Sequence, residues 1–557
     1  MTHSLQRWLA SAVIATAVLS ASGQTNPASG PQESSAIASA PTDAQSAVIE
    51  KLLNRIEQLE QKEAERAAAV EAARKAHEQD VEKFTSRIRE LESKVTAIES
   101  ARVLPEISIP AQPGPTVEEL DQKLRVAERR AELAAEAAEA KAKANPRLSI
   151  GQNGVSFSSA DTNFVFKLRG LVQLDGRTFF NDNRYSSGND SFLLRRARPI
   201  IEGTFFSDFD FQIVPEFGGS SVQLVDAFLN YRLRPELQFK AGKFKGPVGL
   251  EQLQSDATLP FTERSLVTDL VSTRNIGIQL WGEIADGTLS YAIGAFNQAG
   301  DGRNPNNSDF SDNKEIAGRI FLQPFKSSEL AALQKLGVGI GGSWSLIRSN
   351  ATGMPSTTGG SLPGYATEAQ QQFFTYNPVI GNVVANGDHW RLSPQLSYLF
   401  GPFGLIAEYA ISHQEVQNSA TALRASLEHH AWQVGAQWVL TGEPASFNGI
   451  VPNRPFNWRT GGWGAWQLVA RYSNLDIDDA SFGGFSDASL SASQATAWSV
   501  GLNWWLNKNV RVLTSFTHTK FDGGGTFNPL DIRTFSAPAT VTAQDENVLF
   551  TRIQLAF

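Results

Sequence analysis

The sequence predicts an all-β fold, a 16-stranded antiparallel transmembrane β-barrel, preceded by an α-helical coiled coil. Three observations point there. Apolar residues recur every three or four positions from Val48 to Arg102 and every second position after Pro146. The alternating segments are about ten residues long, which is what a tilted strand needs to cross a bilayer. Their connections tend to alternate between short and long, as they do when the two ends of a barrel face different compartments.

At the start of the chain, Arg7 precedes an apolar run from Trp8 to Leu19, and the small residues Ala21, Ser22 and Gly23 follow. This reads as a cleaved secretory signal over residues 1–23. Residues 24–47 read as a disordered linker. Leu52, Ile56 and Leu59, then Val81, Phe84, Ile88, Leu91, Val95 and Ile98, mark two apolar seams of a coiled coil over 48–102, separated by a weak centre around Glu63, Arg66, Ala73 and His77. Such a rod would be roughly 80 Å long. Pro105, Pro110, Pro113 and Pro115 break it within a linker at 103–115. Thr116 and Glu119 form a capping-box pattern that opens a second helical segment, 116–146, rich in Ala, Glu, Lys and Arg and poor in apolar face.

The barrel is assigned to 147–557. Phe164, Phe166, Leu168, Val172 and Leu174 share one parity, with Lys167, Arg169, Gln173, Asp175 and Arg177 on the other. The same alternation recurs around Phe209–Phe217, Trp390–Tyr398, Trp432–Leu440 and Trp466–Tyr472. Tight turns are predicted at Ser207-Asp208, Pro235-Glu236, Asp286-Gly287, Gly401-Pro402 and Asn507–Asn509, and long excursions at 181–191, 244–273, 298–313, 348–388 and 520–546. One connection, Glu443 to Gly462, is long yet falls on the short-turn side. An even strand number returns both barrel ends to one compartment, the periplasm, where the coiled coil must then lie.

The chain has 557 residues, a net charge of −8 and no cysteine. The charge excludes a general nucleic-acid binder. The missing cysteine excludes disulfides, thiolate metal sites and a cysteine nucleophile. Seven histidines are present, but His429-His430 begins a strand and points to opposite faces, so the pair cannot clip a metal. The glycine-rich GVGIGG stretch at 337–342 lies in strand-like sequence without a following helix and is no nucleotide motif. No enzymatic site and no cofactor is implied.

Five stretches give the barrel a recognisable character: FLLRRAR at 192–198, GKFKGPVGLE at 242–251, LTGE at 440–443, GAWQLVARY at 464–472 and VGLNW at 500–504. With these in this order, the chain resembles the outer-membrane phosphate-selective porin family, named for porins O and P. The closing RIQLAF, 552–557, resembles the signal read by the outer-membrane assembly machinery. The resemblance implies a homotrimeric channel in the outer membrane of a Gram-negative bacterium. Its third outer loop would fold inward, and it would admit phosphate, polyphosphate or related small anions.

On the polar parity, the candidate pore-lining or anion-binding cations are Arg169, Arg177, Arg196, Arg198, Arg232, Lys240, Arg319, Arg391 and Arg471. Guanidinium groups stay charged and match phosphate oxygens as a planar fork. Three cations within Arg195–Arg198 without an acid among them favour Arg196 and Arg198 in particular, with Arg195 on the opposite parity at the rim. The loop between the fifth and sixth strands, with Lys243 and Lys245 beside Glu251, Asp256, Glu263 and Arg264, is the constriction candidate. Residues 147–557 carry 31 basic and 35 acidic side chains, so selectivity must come from local placement. Two other readings stay open. One is a less selective porin for mixed small solutes or sugars, for which Phe228, Trp281 and Phe296 are the aromatic candidates. In the other, the coiled coil contacts the cell wall as a tether.

Overall fold

The computed structural model describes residues 86, 93, 117–180, 188–219, 221–304, 312–347, 362–376, 383–488, 490–523 and 545–557. The predicted signal, first linker, proline-rich linker and, apart from Ser86 and Ser93, the coiled coil lie outside them. A 28-residue helix, α1, spans Val117–Ala144, with Glu118 and Glu119 in its first turn, where the exposed amides favour negative charge.

A hairpin of β1 (Arg147–Gly151) and β2 (Gly154–Ser158) leads into the barrel. Its first nine strands are β3 (Val165–Phe180), β4 (Ser191–Phe205), β5 (Phe209–Glu216), β6 (Gln223–Arg234), β7 (Leu237–Lys245), β8 (Arg274–Ile284), β9 (Leu289–Phe296), β10 (Glu315–Leu322) and β11 (Gly337–Ile347). A small hairpin, β12 (Tyr365–Ala366) and β13 (Gln372–Phe374), stands in the next loop. The wall resumes with β14 (Val383–Phe400), β15 (Phe403–Asn418), β16 (Arg424–Val439), β17 (Ala465–Asp476), β18 (Gln494–Trp505), β19 (Val510–Asp522) and β20 (Glu546–Ala556).

Each wall strand pairs antiparallel with its neighbour, β11 pairs with β14, and β20 pairs with β3 from Asn547 opposite Phe180 to Ala556 opposite Leu171. Sixteen strands therefore close on themselves, and no open margin remains between first and last. Phe557 extends the seam by exchanging backbone bonds with Gly170 (2.8 and 3.0 Å), its ring lying where a Cβ on Gly170 would collide at 2.7 Å. Below that point β2 takes over the pairing with β3, from Val155 opposite Leu168. A closed ladder satisfies every strand amide and carbonyl internally, the condition for residence in lipid.

The two parities face opposite ways. On β16, Gln433 and Gln437 are buried while Val434 and Trp438 are exposed; on β20, Arg552 and Gln554 are buried while Ile553 is 58% exposed. Apolar side chains thus point outward and polar ones inward, the inverse of a soluble domain and the arrangement of a lipid-embedded barrel. At the short-turn end, Phe206 and Ser207 both adopt positive φ (51° and 65°), as a tight hairpin's twist requires. The 443–464 excursion does lie at this end. It first packs Ala445 and Ile450 against Val439, Ala465 and Trp505, then folds Phe456 onto Trp504.

Candidate functional site in the lumen

The polar interior does not enclose an empty tube. Between β7 and β8 the chain turns inward with a short helix, α2 (Leu250–Leu253), and a 3₁₀ turn (Leu266–Leu270), burying Val248, Leu259, Val267, Leu270 and Val271 completely or nearly so. Its backbone would be stranded without partners. The wall supplies them. Gln173 donates to the carbonyl of Asp256 (3.0 Å), Gln554 to Ala257 (2.8 Å), Arg511 to Leu259 (2.9 Å), Asn503 to Pro260 (2.7 Å) and Arg471 to Glu263 (3.0 Å). Glu408 accepts from the amides of Leu250 and Glu251 (2.7 and 3.0 Å) at the start of α2.

The loop's acids capture much of the predicted cation row. Asp256 pairs with Arg196 (3.5 Å), Arg264 (2.5 Å) and Arg198, which also meets Glu216 at 2.5 Å. Glu263 pairs with Arg195 (2.7 Å), Arg552 (2.9 Å) and Arg177 (3.7 Å). Burial alone would raise the Asp256 carboxyl, but Arg196, Arg264 and Arg198 overcome it and hold it well below its ordinary value. Glu263 is likewise lowered against its burial, by Arg195, Arg196 and Arg552. Arg471 bridges Glu251 of this loop (3.0 Å) to Glu368 (2.6 Å) beside the β12–β13 hairpin. Arg177 donates to the carbonyl of Ala369 in the same loop (2.7 Å). Arg391 is buried between Asp301 (2.7 Å) and Glu315 (3.0 Å) and donates to the carbonyl of Ala299 (2.7 Å). Arg177, Arg196, Arg391 and Arg471 are therefore buried against inserted loops and do not line the cavity that lies against the β3–β10 wall.

Arg195 departs from its expected place. The β3–β4 register slips between Gln173 and Leu174, so Arg196 faces Gln173 and Leu194 faces Leu174, leaving Arg195 as an extra residue. This β-bulge lets Arg195 reach Glu263 from the interior while Phe192 and Leu194 still face outward.

Among the described residues a cavity of about 730 Å³ lies open against the β3–β10 wall. It is lined by Arg169, Arg198, Lys240, Lys245, Arg274, Arg319 and Lys508, against only Asp226, Asp256 and Glu283. The loop contributes Pro247, Leu253 and Thr258 to it, and the turn-side excursion contributes Asn448 to Val451. A second space of about 300 Å³, lined by Lys167, Glu202 and Asp210, shares Gln212, Phe228, Lys240 and Trp281 with the first. Excursion and loop are joined where Thr258 donates to the carbonyl of Phe447 (2.8 Å).

Within this space Arg169 is a bidentate partner of Glu202 (2.9 and 2.7 Å), and Arg274 of Asp226 (3.0 and 3.3 Å). Lys245 donates to the carbonyl of Gln254. Among the described residues no carboxylate pairs with Lys240 or Arg319. Lys240 Nζ lies 4.8, 5.3 and 4.9 Å from the ring centres of Phe228, Phe244 and Trp281; Arg319 bonds Gln395 (2.8 Å) and covers Phe321. Lys243 is half-buried and does not line the cavity, and Arg232, 45% exposed by side chain, pairs with Asp210 (3.1 Å) near the turn end. Among the described residues no group of three or more His, Asp or Glu side chains is arranged to hold a metal.

Porin O of Pseudomonas aeruginosa is 25% identical over 404 residues, 67% of this chain and 86% of that protein. An uncharacterized protein of Caulobacter vibrioides is 25% identical over 356 residues, 60% of this chain and 66% of its own length. Among solved structures, the outer-membrane channel DcaP of Acinetobacter baumannii is similar at a TM-score of 0.44 and 10% identity, covering 71% of this chain and 98% of that one. An anion-selective porin from Comamonas acidovorans is similar at a TM-score of 0.41 and 10% identity, covering 71% and 100%. The family model "Phosphate-selective porin O and P" matches residues 166–557, the whole barrel wall but for Val165, and the chain accordingly belongs to that family of outer-membrane porins.

Proposed function

We propose that this porin is a diffusion channel for small anions of the phosphate class, and that its pathway runs along the β3–β10 wall. The supporting observation is the contrast in charge. The barrel segment has more acids than bases, yet the open cavity presents seven cations to three carboxylates, with Lys240 and Arg319 unpaired by any acid among the described residues. Conduction needs weak sites that an anion can leave, and separate, partly screened cations meet that need better than a dense guanidinium cluster. Reversal potentials in a potassium chloride gradient across a planar bilayer test it: anion preference is expected, and cation preference contradicts it.

The aromatic ring cluster at Phe228, Phe244 and Trp281 favours a second reading, passage of mixed small solutes or sugars. Swelling of proteoliposomes in neutral sugars at a rate equal to that in matched organic salts would select it. We further propose a homotrimer whose N-terminal helices lie in the periplasm, with the coiled coil available for cell-wall contact. Cross-linking through a cysteine at Leu91, outside the described residues, should trap trimers; monomers alone would refute self-association.

A further inference from the structure

Lys240 sits where anion attraction and apolar contact coincide. Its ammonium has the faces of Phe228, Phe244 and Trp281 within 4.8 to 5.3 Å, and it lines both lumen spaces. The indole N–H of Trp281 is already given to Asn230 (2.8 Å). The nearby acids are engaged elsewhere, Asp226 by Arg274 and Asp210 by Arg232. Phe244 packs edge-on against Phe228 and Phe296 (6.2 and 5.5 Å), which fixes the apolar wall.

Two ligand chemistries fare differently in such a box. Inorganic phosphate carries a tight hydration shell, and shedding it calls for several converging N–H donors. Here the surroundings of the ammonium are rings, and the guanidinium groups of Arg169, Arg198 and Arg274 are bound to loop or wall acids, which leaves only Arg319 among the cavity's arginines without one. An anion with a carboxylate at one end and an aromatic body at the other keeps one charged contact and buries the body against rings. We propose that Lys240, Phe228, Phe244 and Trp281 form a subsite for organic anions with an aromatic body, preferred over inorganic phosphate. This rests on the anion-channel reading and, at this subsite, sets an aromatic carboxylate in place of the phosphate class.

The test uses the full-length protein in planar bilayers, with benzoate, acetate or inorganic phosphate added at pH 7 to a chloride current. Benzoate should block half the current at about one-fifth of the concentration that acetate or phosphate requires. Trp281→Ala should raise the benzoate value to that of acetate, and Lys240→Gln should abolish block by both carboxylates. Should Trp281→Ala fail to assemble, Phe228→Leu serves the same comparison, and the wild-type ranking alone already decides. Phosphate blocking at or below the benzoate concentration overturns the inference while leaving the anion channel intact. A benzoate preference that survives loss of the rings overturns it too. Failure of the channel to favour anions at all removes both readings.

Discussion

Glu263 is the residue on which the lumen architecture turns most directly. It receives Arg195 and Arg552 in direct bonds and has Arg177 within salt-bridge range. Removing one partner of a buried ion pair strands the other, at a cost of about 3–5 kcal/mol. Glu263→Ala should therefore undock the loop between β7 and β8, raising both conductance and protease cleavage within residues 255–270; a silent variant would contradict the anchoring role. The same carboxylates set an acid limit. Asp256 and Glu263 are held below their ordinary values, so their contribution is complete above an unfolded carboxyl's value, about pH 4, and is lost only as pH falls through the lower folded values. Conductance should stay level from pH 8 to about pH 5 and change only below about pH 4. A step between pH 7 and pH 5 would assign the anchoring to other groups.

At the scale of elements, the alternating parity announced the wall because each strand is half in lipid and half in a polar lumen, a difference that period 2 records directly. Turn chemistry was legible for the same local reason, as at Ser207-Asp208. The bulge at Arg195 was not, since an extra residue within a strand leaves no compositional mark, and a parity count carried across it goes wrong. It yields a sharp expectation. Deleting Arg195 makes the ladder regular with Phe192 and Leu194 still outward, so the barrel should assemble, as a heat-modifiable band on a gel reports, while the loop loosens as in Glu263→Ala. Failure to assemble would mean that the bulge is needed by the wall itself. The fate of the cation row was equally hidden. Arg471 meets Glu251 from 220 residues away and Arg552 meets Glu263 from 289, pairings that only the closed barrel creates. Sequence parity identified interior cations without revealing which of them the loops would claim.

For the whole molecule, one charge inventory serves two purposes. Arg177, Arg391, Arg471, Arg511 and Arg552 hold inserted loops by donating to their carbonyls, carboxylates or both, and Arg196 holds one through its ion pair with Asp256. The cations left over on the β3–β10 side give the remaining space its sign. On this account charge selectivity is independent of the arginine anchors and rests on the cavity's unpaired cations, Lys240 and Arg319 on the barrel strands among them. Reversal potential in a potassium chloride gradient, measured for Lys240→Glu/Arg319→Glu beside the unaltered protein, tests this most directly. The double variant should move from anion preference to neutrality or cation preference at comparable conductance; an unchanged reversal potential would contradict the assignment of the pathway to this wall.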